Sequence, residues 1–482
     1  MTAEMITTIA DYQPQPQEED EEKNMQELTK DKEDPDIEPD NSSLMDRWKP
    51  FIVLICGLLI NFSILGNFFS FGVYFTIYLE TFNSSKTLIA TIGALQFGVL
   101  GVGGIFAAMI GRKVKPKLMV LFGSVLIILG MIASAFSTEV WHLCITQGII
   151  VGIGSSFAYI NGISVVGQWF HKYRGVATGI VGTGSPAGQL VMAPLTNYLI
   201  SAYGWRRSLL IQGCSLGAIV LVSSFGVLTS PKSPVTKSTM SVCEETKYIA
   251  GEIWALYKNR QFLLLNIATL LVGTGMIIPY YFVISYAKTL DIPVSRGALI
   301  LLFSGIAGIV GRTTTGVIAD YIGAVRMFQI CVLAGATATI CWLACDTFVD
   351  LVVMMMVYSV FSGGFISLIP SVLAELMGIG NLPFIACVLF IALGTGNFLS
   401  PVIGGVFMQS YSSYSPMIVF SACCQFAAFP VILLVLPRHE REKLAPLELP
   451  ESRKVLVQSP SNKDTVKLFT SDENSPLENE NL

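Results

Sequence analysis

The chain has 482 residues, 52% of them hydrophobic and only 13% charged, with a mean hydropathy of +0.62. A soluble globule of this size needs more polar surface, so the composition excludes one and places the chain in lipid. The net charge of -4 conceals a division. Residues 1–45 hold 14 acids and 3 bases and residues 437–482 hold 9 acids and 7 bases, which leaves 11 acids against 20 bases between them.

The opening run EEDEEKNMQELTKDKEDPDIEPD is too acidic and too poor in apolar residues to repay the entropy of ordering, so residues 1–46 read as a disordered cytoplasmic tail. It lacks the basic, apolar and small-residue succession of a cleavable signal. Beyond it, apolar runs of about 20 residues each match a bilayer core of about 30 Å. Twelve such spans are predicted, at 50–78, 88–110, 117–137, 142–168, 175–200, 207–229, 261–286, 296–319, 327–346, 349–376, 383–410 and 414–436. The longest polar interruption, 230–260, divides them six and six. The expected organisation is therefore an all-α membrane protein with a six-helix half at 47–229, a cytoplasmic linker at 230–260, a second six-helix half at 261–437 and a disordered tail at 438–482.

Lys and Arg in short flanks are retained on the cytoplasmic side during insertion. The even-numbered gaps, the linker and the two ends hold 17 of them, and the odd-numbered gaps hold 5. Both termini are accordingly expected in the cytosol. Asn83-Ser84-Ser85 forms a glycosylation sequon in the first external loop, too close to the membrane for efficient use. The ten cysteines mostly lie in apolar runs without C-x-x-C spacing, and the three histidines lack metal-ligand spacing, so neither a disulfide framework nor a metal site is implied. There is no H-E-x-x-H, no phosphate-cradling G-x-x-x-x-G-K-[ST] and no intramembrane carboxylate pair, which argues against an enzyme or an ATP-driven pump. No cofactor and no nucleic-acid partner is expected.

Among Asp, Glu, Lys, Arg and His, one residue falls well inside a predicted span. Arg312 lies 8 residues before Asp320, about 12 Å from the cytoplasmic end. An arginine at that depth is expensive and faces a cavity or a partner, and its planar fork suits a carboxylate. Asn67, Tyr159, Asn161 and Tyr280 are further polar residues at membrane depth.

The segment GVIADYIGAVR, Gly316 to Arg326, has the spacing G-x-x-x-D-x-x-G-x-x-R and resembles the loop signature of the major facilitator superfamily. Its glycines permit a tight turn, and Asp320 is placed to pair with Arg326 or with a helix N-terminus. The stretch WFHKYRGVATGIVGTGSPAG, Trp169 to Gly188, resembles the fifth-helix signature of the monocarboxylate transporter family, closest to fungal members. YGWRRSLL and the region across predicted spans 7 and 8 support that likeness. The resemblance implies a secondary transporter with a mid-membrane site, moving a monocarboxylate-like anion or a related metabolite, with a proton (symport) or without one. A vitamin carrier or a non-transporting nutrient sensor on the same fold is the alternative. It implies gating roles for Gly316, Asp320, Gly323, Arg326, Lys172 and Arg174. It also implies a cavity lined by helices 1, 4, 7 and 10, hence Asn67, Tyr159, Asn161 and Tyr280 beside Arg312. The plasma membrane is the expected location, with vacuolar and endoplasmic reticulum membranes as alternatives. The departures are informative: Gly111 stands where the first loop signature carries an acid, Phe69 where animal lactate carriers have a lysine, and Gly308 where they have an aspartate.

Overall fold

The computed structural model describes residues 44–111, 114–170, 174–228, 242–377, 382–411 and 413–435. The predicted tails, apart from residues 44–46, lie outside the described residues.

Eleven described helices are long and apolar enough to cross a membrane, and one of them accounts for two crossings. The run Ala177–Gly226 has 50 residues, about 75 Å of helix, more than twice a bilayer core. It breaks at Gly204, where φ of 79° and ψ of 161° lie outside helical geometry. The spans are α1 (Trp48–Phe82), α2 (Lys86–Gly111), α3 (Pro116–Ala135), α4 (Val140–Trp169), α5 (174–203) and α6 (205–226). Then come α7 (Arg260–Thr289), α8 (Val294–Ile322), α9 (Ala324–Ala344), α10 (Phe348–Met377), α11 (Phe384–Tyr411) and α12 (Ser415–Leu433). The start of α7 is fixed by Asn259, whose side-chain oxygen accepts from the backbone N–H of Gln261 at 3.0 Å and of Phe262 at 3.4 Å.

The linker is partly helical. Val242–Lys258 forms a helix in which Leu256 is buried and Ile253 and Tyr257 pack against the core formed by α7 to α12. The spacing of 253, 256 and 257 places all three on one helix face, which is why this polar stretch folds back onto the bundle.

The two sets of six helices repeat one pairing scheme. In the first, α1 packs on α5, α2 on α4 and α3 on α6; in the second, α7 packs on α11, α8 on α10 and α9 on α12. The sets meet along α2 with α11 and α5 with α8. Helix-breaking prolines are tolerated where a neighbour satisfies the carbonyl they free. Pro279 in α7 leaves the Gly275 carbonyl without its helix donor, and Ser421 Oγ of α12 donates to it at 2.7 Å.

Contact between the sets is concentrated at the end remote from the linker. There Lys288 pairs with Glu80, Lys86 Nζ donates to the Met408 carbonyl at 3.4 Å, and Thr87 bonds Gln409 at 3.1 Å. The Phe75 and Phe282 rings meet at 4.9 Å, and Tyr281 of α7 donates to the Gly93 carbonyl of α2 at 3.2 Å. Toward the linker, the close approaches of α2 to α11 and of α5 to α8 reach Gly101 with Gly394 and Gly182 with Arg312. Beyond that level, a Cβ on Gly179 or Gly316 would meet nothing within 4 Å.

Candidate functional site

The site grows from a close helix crossing. A Cβ on Gly305 would lie 2.8 Å from the Leu190 nitrogen and the Pro186 oxygen, and one on Gly308 would lie 2.8 Å from Ser359 Oγ and 3.0 Å from Pro186 Cβ. Only glycine lets α8 wedge this tightly between α5 and α10. Arg312, one turn beyond Gly308 on the same face, is thereby delivered into the seam between the two sets.

Arg312 is 9% exposed. Its Nη1 donates to the Gly182 carbonyl and its Nη2 to Ser185 Oγ at 2.7 Å, both on α5, while its Nε is buried without a partner. The Gly182 carbonyl is available for a physical reason: its helix donor would be the N–H of residue 186, which is proline. Both partners are neutral, so they orient the guanidinium and leave its charge uncompensated.

Around Arg312 stand groups from four more helices. Tyr280 of α7 hydrogen-bonds Ser362 of α10 at 2.8 Å and donates to Ser359 at 3.4 Å. Tyr280 and Tyr159 of α4 both lie within electrostatic reach of the guanidinium. Phe69 of α1 packs its ring 4.9 Å from that of Tyr280. Phe69, Ser185, Gln189, Tyr280, Arg312 and Ser362 help line a narrow pocket.

Two expected site residues do not join this group. Asn67 faces a separate pocket inside the first six helices, shared with Ser63, Ser155 and Gln212. It precedes Phe69 by two residues, about 200° around the helix, so when Phe69 faces the seam Asn67 faces away from it. The same offset separates Asn161 from Tyr159. Asn161 donates to the Phe157 carbonyl at 2.9 Å, and its side-chain oxygen fills the space that Gly111 leaves on α2.

The loop signature also differs from expectation. Gly323 has φ of 95°, the left-handed geometry that the turn between α8 and α9 requires. Asp320 and Arg326, however, are both exposed, and no ion pair joins them among the described residues. The expected helix N-terminus is taken by another acid: Glu375 of α10 accepts from the Val325 N–H at 3.2 Å. Gly316 sits in the last turns of α8. Lys172 lies outside the described residues, and of Arg174 only the backbone, at the start of α5, is described.

Sequence reading missed the α5 and α10 partners. Ser185, Ser359 and Ser362 sit among small residues without any pattern of their own. The one available signal was Pro186, which marks a free carbonyl four residues earlier.

Comparison with known proteins agrees with this architecture. The MFS-type transporter pynF of Aspergillus niger is 26% identical over 66% of this chain and 72% of its own length. Monocarboxylate transporter 12 of Mus musculus is 25% identical over 80% and 83%. Among solved structures, a point mutant of the nucleoside transporter NupG shares the fold, with a TM-score of 0.64 over 81% of this chain and 100% of that one at 14% identity. The profile of the Major Facilitator Superfamily matches residues 56–378 and again 313–473. With twelve crossings in two equivalent sets of six among the described residues and a profile match over most of its length, this chain belongs to the Major Facilitator Superfamily.

Proposed function

We propose that this chain is a secondary transporter that moves a small organic anion of the monocarboxylate type by alternating access. The observation that carries the reading is Arg312: a buried guanidinium in the seam between the two sets of helices, held only by neutral partners and bordered by hydroxyls and aromatic rings. A carboxylate entering there would supply the missing counter-charge in a bidentate geometry. Tyr280, Tyr159 and Ser362 offer hydroxyls to its second oxygen or to a substituent, and Phe69 offers an apolar wall. Relatives named monocarboxylate transporters 12 and 13 support this substrate class.

The linker end of the bundle is cytosolic on this reading, consistent with its excess of Lys and Arg. The arrangement is then inward-open, closed outside by Glu80, Lys288 and the α2–α11 contacts. Rocking of the two halves about Arg312 would expose the same site to the other side. The substrate's own charge, rather than an aspartate at position 308, balances the arginine. A gradient of the substrate therefore suffices to drive transport.

The test is uptake of labelled pyruvate, lactate, benzoate and larger organic acids, with uncharged analogues as controls, by cells carrying the chain at their surface. Uptake of at least one acid that saturates and is inhibited by others supports the proposal. Transport of the uncharged analogues alone would sink it.

A further inference from the structure

Arg312 makes its two charged hydrogen bonds across the seam, and one of them ends on a carbonyl that exists as a free acceptor only because residue 186 is proline. Within the membrane such a carbonyl has to find a donor. In α7 the equivalent need is met inside the same set of helices, by Ser421 on the Gly275 carbonyl. In α5 it is met by the residue that faces the candidate site, from the opposite set.

We propose that Gly182 and Ser185, with Pro186 as the positioning residue, form a dock for the Arg312 guanidinium that competes with an anionic substrate. The idea rests on the reading of Arg312 as an anion-binding group. The dock occupies Nη1 and Nη2, the two nitrogens a bidentate carboxylate would also use, and leaves only Nε without a partner. A carboxylate that takes the end-on fork of Nη1 and Nη2 therefore binds by exchanging places with α5. Exchange also cuts a bond between the halves at mid-span, so the same step that captures the anion loosens α5 from α8. An arginine held by a carboxylate would be immobilised by charge; one held by a carbonyl and a hydroxyl is oriented and remains displaceable.

Replacing Pro186 with Ala restores an N–H at 186, and the Gly182 carbonyl is drawn back into its own helix. The dock weakens and the anion gains. Phenylglyoxal, which attacks both terminal nitrogens of a guanidine, reads this without knowledge of the natural substrate. The full-length protein in vesicles is treated with the reagent, and the Arg312 peptide is quantified by mass spectrometry. Loss of one hydrogen bond to a charged group predicts modification roughly 10- to 150-fold faster in Pro186→Ala and Ser185→Ala, and close to the wild-type rate in Ser185→Thr, which keeps the hydroxyl. Pyruvate is the competing probe. The concentration that halves the modification rate should fall by a similar factor in Pro186→Ala. Should that variant fail to fold, Ser185→Ala against Ser185→Thr carries the comparison alone. An unchanged modification rate overturns the dock whatever pyruvate does. Faster modification with no protection by pyruvate or benzoate overturns the competition, and the anion reading with it.

Discussion

Glu80 at the end of α1 and Lys288 at the end of α7 form an ion pair across the seam, at the end of the bundle remote from the linker. Each side chain is 51% exposed, so screening limits the pair to about 0.2–1 kcal/mol. Glu80→Gln or Lys288→Gln should shift the balance of access states roughly 1.4- to 5-fold away from the one seen here, read as a spin-label distance distribution between the two helix tips at low salt. The doubly reversed Glu80→Lys, Lys288→Glu protein should return toward wild type. Identical distributions in all three would remove the pair from the gating account.

The capping contact of Glu375 on Val325 separates helix capping from the gating role expected of Asp320. Glu375→Ala should lower the melting temperature, since loss of a helix-terminal acceptor costs about 0.5–2 kcal/mol. Asp320→Asn, at an exposed carboxylate without a partner among the described residues, should leave melting unchanged. On the gating reading it lowers the maximal transport rate with little change in half-saturation; a change confined to half-saturation would count against that role.

Arg312→Lys keeps the charge and loses the fork. Transport should drop at least tenfold while the protein still reaches the membrane, because a lysine cannot bridge two acceptors in one plane. Wild-type transport by Arg312→Ala would show that the arginine serves packing alone.

Gly308→Asp restores the carboxylate found in animal lactate carriers, and the seam predicts that it fails as a graft. Its Cβ would meet Ser359 and Pro186 at 2.8 and 3.0 Å, an overpacking that costs about 1–3 kcal/mol. The expected result is a lower melting temperature and no gain of uptake under an imposed pH gradient. Gain of pH-driven uptake at unchanged stability would show that α5 and α8 separate more easily than their packing suggests.

Topology is testable on its own. Tags at either terminus should resist external protease until cells are permeabilised, as the 17 to 5 distribution of Lys and Arg requires. Cleavage in intact cells would reverse the assignment of inside and outside throughout.

The spans were legible because length and hydropathy suffice to define a crossing: even the unbroken run Ala177–Gly226 divides at Gly204, between predicted spans 5 and 6. Arg312 was legible because a lone charge at membrane depth has so few roles. The facing of Asn67 and Asn161 was not, since a helix apolar on all sides gives no azimuth, and membrane depth together with the cavity helices that the resemblance implies put both beside Arg312. The Glu375 cap was hidden for another reason: it joins residues 50 positions apart, and nothing at Glu375 distinguishes it from any other acid near a helix end.

The carbonyls freed by Pro279 and Pro186 differ in who answers them. In α7 the answer comes from Ser421 of a helix that travels with it, so that bend behaves as a rivet, equally stiff wherever the bundle stands in its cycle. In α5 it comes from Arg312 across the seam, so the stiffness of that helix depends on the other half being docked. Amide exchange at the mid-section of α5 should therefore rise and fall with the transport cycle while the mid-section of α7 stays protected. The first half would thus flex at one joint that the second half holds.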